Sequence, residues 1–102
     1  SEIASCQFYP ERYEIICFGK VLKFSEREFK LLHLLASNPK QTFSAERLHT
    51  LLYPESSETQ LRSISEYVYQ IRQKCKQEGL QVIATVRGVG YRWQLESVIS
   101  KA

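Results

Sequence analysis

Methionine is absent from this 102-residue sequence, and cysteine is scarce. The three cysteines, Cys6, Cys17 and Cys75, are odd in number and lack the C-x-x-C spacing of zinc sites, so we expect reduced thiols and no metal site. The apolar runs are too short to span a bilayer, and no signal-peptide pattern opens the chain. These absences predict a soluble, cytoplasmic protein. The missing methionine indicates either a fragment or a chain that has lost its initiator.

No arrangement of catalytic side chains emerges from the sequence either. Ser/His/Asp and Cys/His groupings, paired carboxylates and a phosphate-cradling loop are missing from positions that a fold of this pattern would bring together. The segment Gly88-Val89-Gly90 is too short for a dinucleotide-binding fingerprint and does not precede a helix. The sequence therefore predicts neither an enzyme nor a bound cofactor.

Positive charge is concentrated in one segment. The formal net charge is +3 at pH 7, yet residues 62–92 hold six basic groups against two acidic ones, which gives +4. A local basic patch of this kind fits a polyanionic partner, although a solvated helix face can be equally basic. Because 43% of the residues are hydrophobic, we expect a single small domain over residues 1–102.

The first half of the chain predicts a small antiparallel sheet and two helices. We expect three β-prone runs to form a meander within about residues 1–24. Ser25 with Glu28 forms a capping box that starts the first helix, on which His33 is expected to face solvent. Ser44 is expected to cap the second helix, whose three leucines should face inward. The strands are Cys6–Tyr9, Tyr13–Phe18 and Val21–Phe24, and the leucines are Leu48, Leu51 and Leu52.

A third helix and a hairpin follow. Apolar residues from Leu61 to Cys75 recur every three or four positions, which predicts an amphipathic helix that Gly79 ends. Two β-prone runs then form a hairpin over about residues 82–95, with Trp93 packed into the core and a loose tail over 97–102. An N-terminal antiparallel sheet, a three-helix core over about residues 25–78 and a C-terminal β-hairpin wing make an α+β fold, the winged helix-turn-helix.

The exposed face of the third helix carries the chemistry that DNA recognition needs. The apolar stripe leaves guanidinium, hydroxyl, amide and ammonium groups outward, and such groups contact base edges and phosphates. A polar, solvated face is the alternative interpretation, but two outward tyrosines weigh against it. The outward residues are Arg62, Ser63, Glu66, Tyr67, Tyr69, Gln70, Gln73 and Lys74.

The hairpin tip is the second candidate contact. Gly88 and Gly90 permit a tight turn close to a partner, so that Arg87 is directed outward. An arginine on a protruding turn can enter a narrow minor groove, where negative potential is concentrated. An ordinary hairpin with a solvated arginine is the alternative.

Four segments resemble a known family. Ser25–Leu32, Leu35–Pro39, Phe43-Ser44 and above all Thr85–Arg92, with the sequence TVRGVGYR, are similar to signature segments of the effector domain of OmpR/PhoB-type response regulators. The resemblance runs from about Cys6 to Leu95. It implies an N-terminal sheet of four strands, of which residues 1–5 would supply the fourth.

The resemblance also implies functions for individual residues. The recognition helix corresponds to Glu58–Lys76, and the preceding loop corresponds to a transactivation loop that contacts RNA polymerase. Where family members commonly carry consecutive arginines, this chain has Tyr69 and Gln70, and Glu66 adds a negative charge. The predicted DNA contacts are Arg62, Ser63, Glu66, Tyr67, Tyr69, Gln70, Arg72 and Lys74 on the helix, with Arg87, Gly88 and Tyr91 on the wing; the loop comprises Tyr53, Pro54, Glu55, Ser56, Ser57 and Glu58.

Two functions follow from these patterns. The leading prediction is sequence-specific binding of double-stranded DNA, by a domain that is a monomer when isolated and a tandem dimer on direct-repeat half-sites. In the family, a receiver domain normally precedes this effector and regulates it. The alternative is a winged-helix protein-interaction module with weak or no specific DNA binding, because Glu66, Tyr69 and Gln70 reduce the basic character of the helix face. Steep salt dependence of binding would favour the DNA-binding function.

Overall fold

The computed structural model describes residues 6–54 and 61–97. Strands β1 (Cys6–Tyr9), β2 (Glu14–Cys17) and β3 (Lys20–Lys23) form an antiparallel meander in the order β1-β2-β3. Alternate side chains of these strands are buried, which is the pattern of a sheet with one face on the core. The three predicted strands are confirmed, with ends that differ by at most one residue. The fourth strand expected at residues 1–5 lies outside the described residues.

A disulfide joins β1 to β2. Cys6 and Cys17 are direct partners in the antiparallel register, and both are fully buried. The expectation that all three cysteines are reduced was therefore wrong. Their separation of 11 positions matches no motif, and only the pairing of the two strands brings the sulfur atoms together. Cys75 is a free thiol and is buried.

Three helices form the core, namely α1 (Glu26–Ser37), α2 (Ala45–Leu52) and α3 (Leu61–Gln77). At the start of α1, Ser25 Oγ accepts a hydrogen bond from the Glu28 amide, and Glu28 Oε1 accepts one from the Ser25 amide. Ser44 Oγ caps α2 by accepting from the Arg47 amide at 3.0 Å. Both predicted caps are thus confirmed. Among the described residues, no helix is long and apolar enough to cross a membrane.

The apolar stripe of α3 packs against α1, α2 and the hairpin. Its described members Ile64, Val68, Ile71 and Cys75 are at most 2% exposed, as their spacing predicted. On α2 the prediction holds for Leu48, which is fully buried, but Leu51 is 44% exposed. The inward orientation predicted for Leu51 was wrong, because α2 is only eight residues long and packs on the core through one narrow face.

His33 lies at the edge of the core rather than in solvent. Its ring stacks on Phe8 with centroids 5.1 Å apart and lies 5.5 Å from the ring of Phe29. The expectation of a solvent-facing histidine was wrong because it considered α1 alone. Strand β1 lies across that side of the helix and supplies Phe8, which also contacts Trp93.

The hairpin consists of β4 (Leu80–Val86) and β5 (Gly90–Ser97), which pair in antiparallel register. It begins directly after Gly79, whose φ of 73° ends α3 in the left-handed conformation. Phe43 and Tyr91 exchange two backbone hydrogen bonds of 2.8 Å, so the segment before α2 adds a bridge to the free edge of β5. Trp93 is buried in the core, as predicted. The wing is therefore held to the helical core.

Candidate nucleic-acid interface

The exposed side of α3 forms one wall of the candidate interface. Glu66, Tyr69 and Gln70 are all exposed, and Tyr69 keeps 59% of its surface accessible. The ring of Tyr69 is therefore available for contact with a partner. We call Glu66, Tyr69 and Gln70 the recognition face. The structure does not describe the side chains of Arg62 and Ser63, so the DNA contacts predicted for these two residues stay predictions.

Tyr67, which was predicted to point outward, is half-buried and takes part in a cluster that links α1, α3 and the residue that follows α2. Arg27 Nη1 donates to the Tyr67 hydroxyl at 3.3 Å, and the Arg27 guanidinium lies 4.9 Å from the ring centroid of Tyr53. Burial raises the pKa of Tyr53 to about 12, and among the described residues its hydroxyl has no hydrogen-bond partner. Tyr53 belongs to the predicted RNA polymerase loop, and residues 55–58 of that loop lie outside the described ranges.

Lys74 is tied to α1 instead of pointing outward. Its Nζ donates to Glu28 Oε1 at 2.7 Å and lies 5.4 Å from the ring centroid of Phe24. The side chain of Glu28 is only 9% exposed and its carboxylate also caps α1, whereas the side chain of Lys74 is 38% exposed, so the ion pair lies at the edge of the solvent. The outward orientation predicted for Lys74 was wrong, because periodicity within α3 does not reveal that α1 lies beside this position. The DNA contact predicted for Lys74 stays a prediction.

Arg72 points from α3 to the hairpin. Its Nη2 donates to the carbonyl oxygen of Ile83 at 3.1 Å and to Thr85 Oγ1 at 2.7 Å. The guanidinium also lies 5.9 Å from the ring centroid of Tyr91 on β5. Arg72 thus joins α3 to both strands of the wing. Thr85 was not singled out from the sequence as a partner of α3, since nothing in a local pattern shows which strand will lie against a helix.

The tip of the wing is the turn from Arg87 to Val89. The Val89 amide donates to the carbonyl oxygen of Val86 at 2.9 Å, and Gly88 adopts a φ of 76°. Arg87 is exposed, which agrees with the outward direction predicted for it. Gly90 has a different function from Gly88, because a Cβ at Gly90 would collide with the carbonyl group of Phe43. Close approach of two backbones, and not the turn itself, therefore requires glycine there.

A cleft of about 630 Å³ separates α3 from β4, the strand that leads to the tip. Two cations, Arg72 and Lys76, line it together with the side chains of Gln73, Gln81 and Thr85. A second, shallower cleft of about 520 Å³ runs along the recognition face between Glu28 and Tyr69. The interface thus has a helix wall that carries both cations and a strand wall opposite it.

Known sequences match most of the chain. The model of a family described as "Transcriptional regulatory protein, C terminal" matches residues 19–93. The nisin biosynthesis regulatory protein NisR of Lactococcus lactis subsp. lactis is 35% identical over 92 residues, which cover 90% of this chain and 40% of that protein. The transcriptional regulatory protein SpaR of Bacillus subtilis is 30% identical over 92 residues, which cover 90% and 42%. The chain therefore spans about two fifths of the length of these curated relatives.

Solved structures share the architecture. The C-terminal domain of the nisin resistance regulator NsrR, a lantibiotic response regulator, has a TM-score of 0.77 at 27% identity and covers 91% of this chain and 96% of that one. The DNA-binding domain of the response regulator AdeR, in complex with an intercistronic region, has a TM-score of 0.77 at 21% identity, with coverage of 91% and 97%; this likeness shows the fold. The chain thus belongs to the family of C-terminal domains of transcriptional regulatory proteins and has the winged-helix fold of the OmpR/PhoB-type effector domain.

Proposed function

We propose that this domain binds specific sequences of double-stranded DNA as the effector domain of a two-component response regulator that controls transcription. The observation that carries the proposal is that α3 exposes the recognition face and the wing exposes Arg87, with a cleft lined by Arg72 and Lys76 between α3 and β4. An α-helix fits the major groove of B-DNA, and a protruding arginine fits the narrow minor groove beside it. Lys76, an exposed cation of the cleft, then supplies charge for the phosphate strand that divides the two grooves.

The recognition face also indicates which bases are preferred. An amide such as that of Gln70 pairs in two-point fashion with adenine, and a carboxylate such as that of Glu66 accepts from the amino group of cytosine. The ring of Tyr69 offers apolar contact to a thymine methyl group. Guanine is favoured by arginine, which the middle of this face lacks. We therefore expect an operator whose central half-site positions are A, T and C.

The domain acts within a longer protein in this proposal, because its curated relatives are more than twice its length. A receiver domain precedes it and is phosphorylated in the cytoplasm. Two effector domains then bind direct-repeat half-sites in tandem, about one helical turn apart. Tyr53 and the loop that follows it contact RNA polymerase, and Ser63, Gly88 and Tyr91 support the contacts to DNA.

A protein-interaction module is the second candidate function. Two observations favour it, namely that Glu28 neutralises Lys74 and that the exposed Tyr69 and Glu66 make the centre of the recognition face aromatic and acidic. Both features weaken the attraction of this face to phosphates. Binding of a protein partner with little dependence on salt is the result expected from this alternative.

Selection of duplexes from a randomised pool at two salt concentrations tests the proposal. We expect enrichment of a direct-repeat motif, with an affinity that falls steeply as salt rises. Arg87→Ala is expected to weaken binding to the enriched duplex by about 1–3 kcal/mol. Lys23→Ala, which removes the same charge from an exposed position on β3, is the matched control and should have little effect. A pool without enrichment, or equal losses for both variants, would contradict the proposal.

A further inference from the structure

We infer that Arg72 is a positioning residue, which fixes the wing relative to α3 and thereby sets the contribution of Arg87 to DNA specificity. This inference rests on the proposed function. It differs from the direct DNA contact that the resemblance implies for Arg72. The side chain leaves one turn of α3 after the recognition face and ends on the wing, so it connects the two parts of the interface.

The hydrogen bonds of the guanidinium explain why it does not serve as a clamp for phosphate or guanine. Arg72 Nη2 carries two hydrogens, and both have acceptors on β4, the carbonyl oxygen of Ile83 and the hydroxyl of Thr85. A guanidinium can grip two acceptor atoms through its Nη1–Nη2 edge or through its Nε–Nη2 edge, and both edges use Nη2. A two-point contact with DNA would therefore have to break the bonds that hold the wing.

Arg72 contacts the wing at a position where its hydrogen bonds can fix the direction of β4. The pairing of β4 with β5 shifts register between Gln81 and Ile83, and such irregularities bend and twist a strand. Arg72 binds the carbonyl group at the end of this irregularity, where the direction of the strand is set. Its guanidinium also lies against Tyr91 on β5, whose backbone is bridged to Phe43. One side chain thus contacts both strands just before the tip.

The contacts of Arg72 with β4 affect the position of Arg87 at the tip of the wing. Arg87 follows Thr85 by only two residues, so a change in the direction of β4 at Thr85 moves Arg87 with it. Entry into a minor groove about 6 Å wide requires an accurately placed arginine. We therefore expect loss of Arg72 to remove the benefit of Arg87 rather than to remove a phosphate contact of its own.

A double-mutant cycle with the duplex enriched from the pool tests this expectation. In the unmodified domain Arg87→Ala is expected to weaken binding roughly 5- to 150-fold, whereas in an Arg72→Met background it should change binding less than about twofold. Thr85→Val, which removes the acceptor without a change of charge, should reduce the effect of Arg87→Ala in the same direction. Arg72→Lys keeps the charge but lacks the planar guanidinium that donates to two acceptors at once, so it should behave like Arg72→Met.

Lys76→Met is the matched control, because Lys76 is an exposed cation one turn further along α3 that lines the same cleft. Its effect should add to that of Arg87→Ala and lower the slope of log K against log salt by about 0.9, as for one phosphate contact. Arg72→Met should leave that slope unchanged. The inference is overturned if Arg72→Met and Arg87→Ala weaken binding independently and Arg72→Met itself lowers the slope by about 0.9.

Hydrogen exchange of the free domain separates this inference from the proposed function. Arg72→Met and Thr85→Val should speed amide exchange in the segment 83–91, while Lys76→Met should not. If the domain binds no DNA but both variants loosen this segment, the proposed function fails and the structural role of Arg72 stands. If exchange in the segment is unchanged in both variants, the positioning role is wrong, whether or not the domain binds DNA.

Discussion

Cys75 shows how strongly burial governs the chemistry of one residue in this domain. The thiol lies on the inward stripe of α3 with none of its surface exposed, and desolvation raises its pKa to about 12. At pH 8 the side chain is then almost entirely in the unreactive thiol form. Because unfolding returns the thiol to its ordinary pKa of 9.0, the unfolded chain ionises first, and this residue lowers stability as pH rises above that value.

Thiol titration checks this account of Cys75. In the oxidised domain at pH 8, an aromatic disulfide reagent should label no thiol in the native state and one thiol after unfolding in guanidinium chloride. The single thiol follows from the Cys6–Cys17 disulfide and the free Cys75. Rapid labelling of the native domain would mean that Cys75 is accessible and would contradict the packing of α3.

Single residues were predictable from the sequence where the reason for them is local. The caps at Ser25 and Ser44 involve amides three positions away, and the structure forms both. Lys74 and Glu28, by contrast, are 46 positions apart, and Phe8 meets His33 only because β1 lies on α1. The partner of a charged or aromatic side chain depends on packing between elements, which a local pattern does not contain.

At the scale of elements, two glycines of the wing provide a matched pair. A Cβ at Gly88 meets no atom within 4 Å, so Gly88→Ala is strained only by its φ of +76° and should cost about 1–2 kcal/mol. At Gly90 a Cβ would collide with the Phe43 carbonyl group and lie 2.8 Å from the Cα of Ser44. Gly90→Ala must therefore break the bridge between Phe43 and Tyr91, and we expect a loss of about 2–4 kcal/mol.

Urea unfolding followed by circular dichroism measures both losses from the midpoint and slope. The order of the two variants is the decisive result, since it separates close backbone approach from turn conformation. Equal destabilisation by the two substitutions would show that the bridge between Phe43 and β5 contributes little.

The elements themselves were largely predictable, but their contacts were not. Helix α3 follows from apolar residues every three or four positions, and the hairpin follows from alternation around a glycine-bearing turn. Arg72 lies on the helix and Thr85 on the hairpin, and no periodicity indicates that they meet. The same limit applies to Leu51, because the spacing on a short helix does not say how wide its buried face is.

For the whole molecule, the disulfide between β1 and β2 is the largest departure from the expectation of reduced thiols. It closes a loop of 11 positions, for which the restriction of the unfolded chain corresponds to about 2–3 kcal/mol of stability. We expect reduction to lower the free energy of unfolding by that amount, and with it the urea midpoint, while the helical core keeps its circular dichroism. The double variant Cys6→Ala with Cys17→Ala is the control, since its midpoint should not respond to reductant. An unchanged midpoint on reduction of the parent domain would show that the sheet does not depend on the bond.

The order of sheet, three helices and hairpin indicated the winged helix before any contact was known, since few folds accommodate that sequence of elements. The family resemblance of TVRGVGYR placed the wing at the residues where the structure has it. The cleft between α3 and β4 is a property of the assembled molecule, because its cations come from the helix and its other wall comes from the strand. The distribution of charge along α3, with Lys74 paired to Glu28 and Arg72 turned to the wing, therefore required the structure.

Amide chemical shifts of the labelled domain, followed during titration with the enriched duplex, test the central claim most directly. The account predicts the largest changes on the recognition face, at Glu66, Tyr69 and Gln70, and at the wing tip around Arg87, with small changes on the sheet of β1, β2 and β3. A scrambled duplex should give weaker changes that disappear as salt is raised. Changes confined to the sheet, or none at the recognition face, would contradict the claim that α3 and the wing together read DNA.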